Sequence, residues 1–336
     1  MRRVYLLILI TISVSAIAQD ARYSQFYAAP LYVNPGFTGA TIEHRFSMNY
    51  RHQWPNIPGA FDAYNASYDY NASEINSGFG LILNREDAGS FGLTTNSAAF
   101  SYAYRFRLNR KTYLAPGLKI GYVSRGIDFD KLIFNDQLES NSATTLDVDA
   151  FDRDRVNYLD ISTGVLLYSE NYWAGGSVNH INQPNQSLLG DDAISNLPIK
   201  ATFQAGYKFK LSGATIKRLA AKDITAAVHY EFQEKFDQLD IGAYYNHEPF
   251  VFGFWYRGLQ GVKKPDGASA NNDAFIVLLG YSVPDRNLRI GYSYDITVSR
   301  LATNTAGAHE ISLVYEVASK KNKRRSRRFI VPCAKF

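Results

Sequence analysis

The sequence predicts an all-β chain, a transmembrane antiparallel up-and-down β-barrel of about 14 strands with a short N-terminal plug segment. Three observations predict it. Apolar and polar residues alternate with a period of two over runs of about ten to thirteen residues, which gives each strand one greasy face and one polar face. These runs exceed the five or six residues usual in a soluble sandwich and match the roughly 9 to 11 that cross a bilayer when tilted. The connections alternate between tight and long, as the periplasmic and extracellular ends of an outer-membrane barrel do.

Composition narrows the field further. The 336 residues include 24 Tyr and 21 Phe and are 46% hydrophobic and 20% charged, too apolar for a disordered chain. The lone Cys333 allows no internal disulfide, and without Cys/His pairs there is no zinc scaffold. A pI near 9.0 suggests nucleic acid until the charges are located. Ten of the 36 Lys and Arg lie in the leader and the tail, so the body carries more acid than base and no nucleic-acid partner is expected.

Taken in order, residues 1–18 read as a signal peptide. Arg2 and Arg3 precede an apolar run from Val4 to Ile12 and the small-residue end Ala16, Ile17, Ala18, with cleavage expected after Ala18. Position 19 is Gln, so the leader offers no lipid attachment site, and no later window reaches the 18 or so apolar residues of a spanning helix. Residues 19–43 do not alternate. Pro30, Pro35, Gly36 and Gly39 break any long element, while Tyr23, Phe26, Tyr27, Leu31, Tyr32 and Phe37 demand burial. The segment is expected to pack inside the barrel as a plug; the alternative is a periplasmic arm that orders on a partner.

The barrel is expected over residues 44–318, with strands near 44–54, 61–72, 78–85, 93–108, 112–124, 157–168, 172–181, 200–211, 224–232, 239–246, 250–258, 274–283, 288–299 and 309–317. The clearest is the last but one, where Leu288, Ile290, Tyr292, Tyr294, Ile296 and Val298 alternate with Arg289, Gly291, Ser293, Asp295, Thr297 and Ser299. Phe100, Tyr102, Tyr104, Phe106 and Leu108 repeat the pattern, as do Phe203, Ala205, Tyr207, Phe209 and Leu211. Such a sheet must close, because an open edge in lipid leaves backbone groups unpaired. Tight links at 73–77, 109–111, 169–171, 247–249 and 284–287 contrast with long ones at 125–156, 182–199 and 259–273; the 212–223 link is longer than the pattern wants and the one near 234–236 shorter. Residues 319–336 form a basic tail, placed in the periplasm by strand parity.

The plug segment carries a resemblance. The run that includes Gln25, Phe26, Tyr27, Pro30, Asn34, Pro35, Gly36 and Gly39 resembles the N-terminal signature of the PorP/SprF family of the Bacteroidetes type IX secretion system. Tyr50, Arg51, His52, Gln53, Trp54 and Pro55 are similar to the family's first strand, and His309 to Leu313 to its last. The resemblance runs the length of the mature chain, although only the N-terminal motif is specific by itself. It implies an outer-membrane barrel, set in outer-membrane lipid and associated with the secretion and gliding machinery; an even-stranded barrel of this kind is expected to keep both termini in the periplasm. Its partners would be exported substrate proteins, through their C-terminal sorting domains, and periplasmic secretion-system components.

Candidate sites follow from position. Arg51, His52 and Trp54 could contact the plug or a substrate, or be an interfacial Trp beside a lumen-facing Arg. In the tail, Lys320, Lys321, Lys323, Arg324, Arg325, Arg327 and Arg328 could dock an acidic partner or remain a solvated end. Asp147, Asp149, Asp152, Asp154 and Asp160 lack the Gly and Glu of a calcium loop and read as a solvated loop. The six histidines are scattered, and His247-Glu248 and His309-Glu310 are strand neighbours that face opposite ways. No catalytic, cofactor or metal site is expected, and no enzyme activity. The expected function is binding or anchoring of exported surface proteins and periplasmic partners; the alternative is an outer-membrane diffusion channel or small-solute transporter.

Overall fold

The computed structural model describes residues 20–89, 92–128, 154–189, 194–211, 222–234, 236–259, 271–284, 286–298 and 305–317. The signal peptide, the basic tail with Cys333, and Asp147, Asp149 and Asp152 lie outside the described residues.

Alternation sets the strands, and strand pairing closes them into one sheet. The wall is built from β1 (His44–Gln53), β2 (Phe61–Ala72), β3 (Ser77–Ala88), β4 (Leu93–Tyr104), β5 (Phe106–Arg107), β6 (Tyr113–Gly126), β7 (Arg155–Tyr168), β8 (Tyr172–Asn179), β9 (Lys200–Lys210), β10 (Lys222–Gln233), β11 (Phe236–His247), β12 (Phe250–Leu259), β13 (Asn271–Val283), β14 (Leu288–Thr297) and β15 (Ala308–Val317). Sequence neighbours pair antiparallel, except that β4 and β5 both pair with β6, and β1 pairs with β15 from His44 opposite Val317 to Gln53 opposite Ala308. No edge is left. Among the described residues, no helix is long and apolar enough to cross a membrane.

One expected strand is cut in two. The sequence reads 93–108 as continuous, but Arg105 leaves the ladder and its N–H donates to the Asn76 carbonyl in the neighbouring turn at 2.8 Å. β4 pairs with β6 up to Ala103 opposite Gly117, and β5 resumes with Phe106 opposite Leu114. The wall is therefore a closed barrel of fourteen strands with β5 as an extra piece.

The two faces meet different surroundings, as period two requires. Phe100, Tyr102, Phe203, Tyr207, Phe209, Ile290, Tyr292 and Ile296 are exposed on the outside. Their neighbours Ser101, Thr202, Gln204, Ser293 and Asp295 are buried on the inside. A soluble protein inverts this arrangement. An apolar exterior on strands of 8 to 14 residues is what hydrocarbon selects.

Chain direction assigns each connection to an end. The start of β1, the end of β15 and the links 73–76, 108–112, 169–171 and 248–249 share one end with the strand ends Lys210, Lys222, Val283 and Leu288. The opposite end holds the link 54–60 and the strand ends that the longer connections join, Gly126 and Arg155, Asn179 and Lys200, Leu259 and Asn271, Thr297 and Ala308, with Ala88, Leu93, Gln233 and Phe236 beside them.

Candidate functional site: the lumen and the segment that fills it

Residues 20–43 lie inside the barrel. Pro30, with a fixed φ and no N–H to leave unpaired, starts the four-residue helix α1 (Pro30–Val33). The Asn34 N–H donates back to the Pro30 carbonyl and ends that helix. Asn34 then caps the 3-10 turn Pro35–Phe37 by accepting from the Gly36 N–H at 2.7 Å. From Asp20 the segment descends from the end of the long links to Thr41 beside the start of β1, touching strands on every side.

Near the β1 start, hydrogen bonds fix the segment to the wall. Asn34 Nδ2 donates to the carbonyls of Val165 at 3.1 Å and Gly176 at 3.2 Å. A Cβ on Gly36 would sit 2.8 Å from the Ala115 carbonyl oxygen and 2.9 Å from the Leu166 nitrogen, so only glycine lets the turn lie this close to β6 and β7. Gly39 has φ +72° and its added Cβ would lie 2.6 Å from the Cα of Gly78. The Gly39 N–H donates to Asp69 at 2.8 Å, and its carbonyl accepts from Arg105 Nη1 at 2.9 Å. Arg45 grips the same Asp69 through two bonds of 2.8 and 2.9 Å. The break at Arg105 thus frees a guanidinium to hold the segment.

Higher in the lumen the attachment is ionic. The N–H groups of Ser24 and Gln25 donate to the two oxygens of Glu310, at 2.7 and 3.1 Å. Ser24 Oγ donates to Asp295 at 2.6 Å and accepts from Arg51 at 2.7 Å and Arg257 at 2.9 Å. Arg51 and Arg257 both reach the same Asp295 oxygen, at 2.8 and 3.0 Å, and Arg257 also bonds Asp240 at 3.1 Å. Two cations face three carboxylates here, all buried. Gln25 completes the cluster, donating to Ser293 and to the Glu310 carbonyl and accepting from Ser312 at 2.6 Å.

Apolar packing fills the middle. Phe26 stacks on His229 with ring centroids 5.0 Å apart and meets Trp255 edge-on at the same separation. Tyr27 packs edge-on against Tyr244. What remains of the lumen around the segment includes cavities of about 20 Å³ and about 90 Å³.

At its start the segment is held by charge. Asp20 Oδ2 lies 2.8 Å from His180 Nε2 and 3.4 Å from Lys200 Nζ, while His180 Nδ1 lies 2.8 Å from Asp160. Burial by itself lowers the His180 pKa, but Asp20 and Asp160 outweigh it and lift the imidazole to about 9. Burial raises Asp20, yet His180 and Lys200 hold its carboxyl far below the usual range. Protonated His180 therefore donates from both ring nitrogens.

Most motif residues meet in this one site. Gln25, Phe26, Tyr27, Pro30, Asn34, Pro35, Gly36 and Gly39 all sit in the lumenal segment, and Arg51 faces it. His52 points the other way and bonds Asp62 on the outer face at 2.8 Å. Trp54, with φ 61°, packs edge-on against Phe61 at the strand end. The tail cations lie outside the described residues. Asp160, read from sequence as part of a solvated loop, instead faces the lumen in β7 and bonds His180. Arg105, Arg257 and Asp295 were missed individually, although each falls on the polar phase of an alternating run in the sequence. Among the described residues, no group of three or more His, Cys, Asp and Glu could hold a metal ion.

A family model described as "Type IX secretion system membrane protein PorP/SprF" matches residues 15–315. No curated protein matches the chain. Solved structures similar to it include the outer membrane protein Omp33 of Acinetobacter baumannii, at 7% identity and TM-score 0.41, covering 82% of this chain and 99% of that one. The CymD monoaromatic hydrocarbon channel is similar at 12% identity and TM-score 0.43, covering 85% and 90%. A deltaS2S3 mutant of the TodX monoaromatic hydrocarbon channel stands at 12% and 0.47, covering 85% and 92%.

Proposed function

The chain belongs to the PorP/SprF family of type IX secretion system membrane proteins, and on that footing we propose an outer-membrane barrel plugged by its own N-terminal segment, which binds or anchors exported surface proteins and periplasmic partners of the secretion and gliding machinery. One observation carries the plug reading: residues 20–41 are bonded to strands all round the lumen, at Glu231, Glu310, Asp295, Asp69, Ser101 and Val165 among others. Removing Ser24 and Gln25 would take three donors from the carboxylates of Asp295 and Glu310, which water entering the lumen would have to replace. A segment so attached favours a scaffold over an open conduit.

In this reading both chain ends face the periplasm and the long links face outward. Exported proteins engage the outward links through their C-terminal sorting domains. The tail from Lys320 to Arg328 docks periplasmic components, and no catalysis is involved. Planar-bilayer recordings test the plug. The intact protein should be nearly silent, and a variant lacking residues 20–40 should conduct; high conductance by the intact protein would favour the diffusion channel. Deleting residues 320–336 should leave the barrel folded and reduce recovery of periplasmic secretion components, and unchanged recovery would end the docking role.

A further inference from the structure

A second site lies on the outer wall, away from the lumen. Strand register sets Met48, Ala66, Leu83, Ala98 and Tyr122 in one outward row across β1, β2, β3, β4 and β6. Large and small side chains alternate along that row. Met48 and Leu83 stand 58% and 59% exposed, and the floor drops at Ala66 and Ala98 between them and Tyr122. The result is a groove of about 670 Å³, within the range of ligand sites.

Charge is arranged along β3 above the groove. Arg85 points outward two residues beyond Leu83 and lines the groove. Two residues further, Asp87 stands directly opposite Asp62 of β2. Like charges in that position repel. Both carboxylates are held: Asp87 by Arg85 at 2.9 and 3.0 Å and Thr94 at 2.8 Å, Asp62 by Tyr50 and His52 at 2.8 Å each. From the groove outward the order is therefore hydrocarbon, one cation, two anions.

That order complements an acyl chain, a phosphate and an ammonium. We propose that this groove binds a membrane lipid with a zwitterionic aminoalkyl-phosphate headgroup. Its acyl chain lies over Ala66 and Ala98, its phosphate meets the half-exposed Arg85, and its ammonium donates to Asp62 and Asp87. A headgroup of net negative charge meets the two carboxylates unfavourably, and a quaternary ammonium has no N–H to offer them. The inference goes beyond the proposed function but takes its orientation from it: Asp62 and Asp87 stand at the end of the long links, so the headgroup lies in the leaflet on that side.

Native mass spectrometry of the full-length, delipidated protein tests it, with phosphatidylethanolamine, phosphatidylglycerol and phosphatidylcholine of one chain length titrated separately. Phosphatidylethanolamine should be retained as a single adduct about tenfold more tightly than the other two, the difference that one charge-assisted hydrogen bond makes. Ala98→Phe, which fills the groove, should abolish that adduct. Arg85→Gln should weaken it about tenfold, and Asp87→Asn should erase the preference over phosphatidylcholine. Heat-modifiable gel migration reports folding, and the two charge variants serve if Ala98→Phe does not fold. Equal retention of all three lipids, preference for phosphatidylglycerol, or an adduct untouched in the folded variants would overturn the proposal.

Discussion

Arg51 and Arg257 show how a single residue can join wall to lumen. Each shares Asp295 with the other and with Ser24, so one side chain ties together β1 or β12, β14 and the N-terminal segment. Replacing a whole buried ion cluster by packed hydrocarbon can be neutral, but removing one member leaves an uncompensated charge. Arg257→Ala should cost about 3–5 kcal/mol, seen as heat-modified gel migration at lower temperature. His180 makes a separate, pH-dependent contribution. Its pKa rises from 6.5 to about 9 in the folded chain, so the stability it adds is fully present below pH 6.5 and is lost as pH climbs through about 9. Asp20, with its pKa lowered, stays ionised across that window. Protease sensitivity of the N-terminal segment should therefore increase between pH 6.5 and 9, and His180→Gln should remove most of that rise. Arg51 was legible as lumen-facing from the alternation of its strand. Its partners Asp295 and Glu310 lie 244 and 259 residues away, and no spacing rule connects positions that far apart.

For a single strand, the alternation decides what each substitution does. Ile311 faces outward at 47% exposure, while the adjacent Ser312 is buried and bonded to Gln25. Ile311→Arg should destabilise the barrel by about 2–4 kcal/mol near the bilayer midplane and less toward an interface. Ser312→Val should leave the barrel intact and loosen the segment instead. Measuring folded fraction by heat-modifiable electrophoresis and segment release by proteolysis separates the two. Strand number and most boundaries were legible, because period two over ten or more residues admits few alternatives. The break at Arg105 was not. Arg105 continues the alternation in sequence, and it leaves the ladder only because Asn76, Asn71, Ser77 and Gly39 offer it better partners.

Across the whole molecule, closure makes the two chain ends neighbours. Asn49 of β1 lies opposite Ser312 of β15, both facing inward. Paired strand positions lie about 4.5–5.5 Å apart at Cα, within reach of a disulfide. In a Cys333→Ser background, Asn49→Cys with Ser312→Cys should therefore cross-link on oxidation and shift non-reducing gel mobility, whereas an open sheet would not. The same closure encloses the lumen. Fourteen strands leave a space too wide for the inward side chains alone, and residues 20–43 occupy it. Alternation predicted a polar inner face, and the proline- and glycine-broken aromatic segment predicted something that needed burial.

The sequence by itself determined which residues face lipid, how many strands alternate, and that the N-terminal motif resembles one family, because those are local properties of a chain with period two. Only the tertiary structure decided which inward charges meet, that Asp160 and His180 grip Asp20, and that Ala66 and Ala98 fall in one row. Register and ring closure bring together residues that lie tens to hundreds of positions apart, and the energy of a buried charge depends on the partner found there.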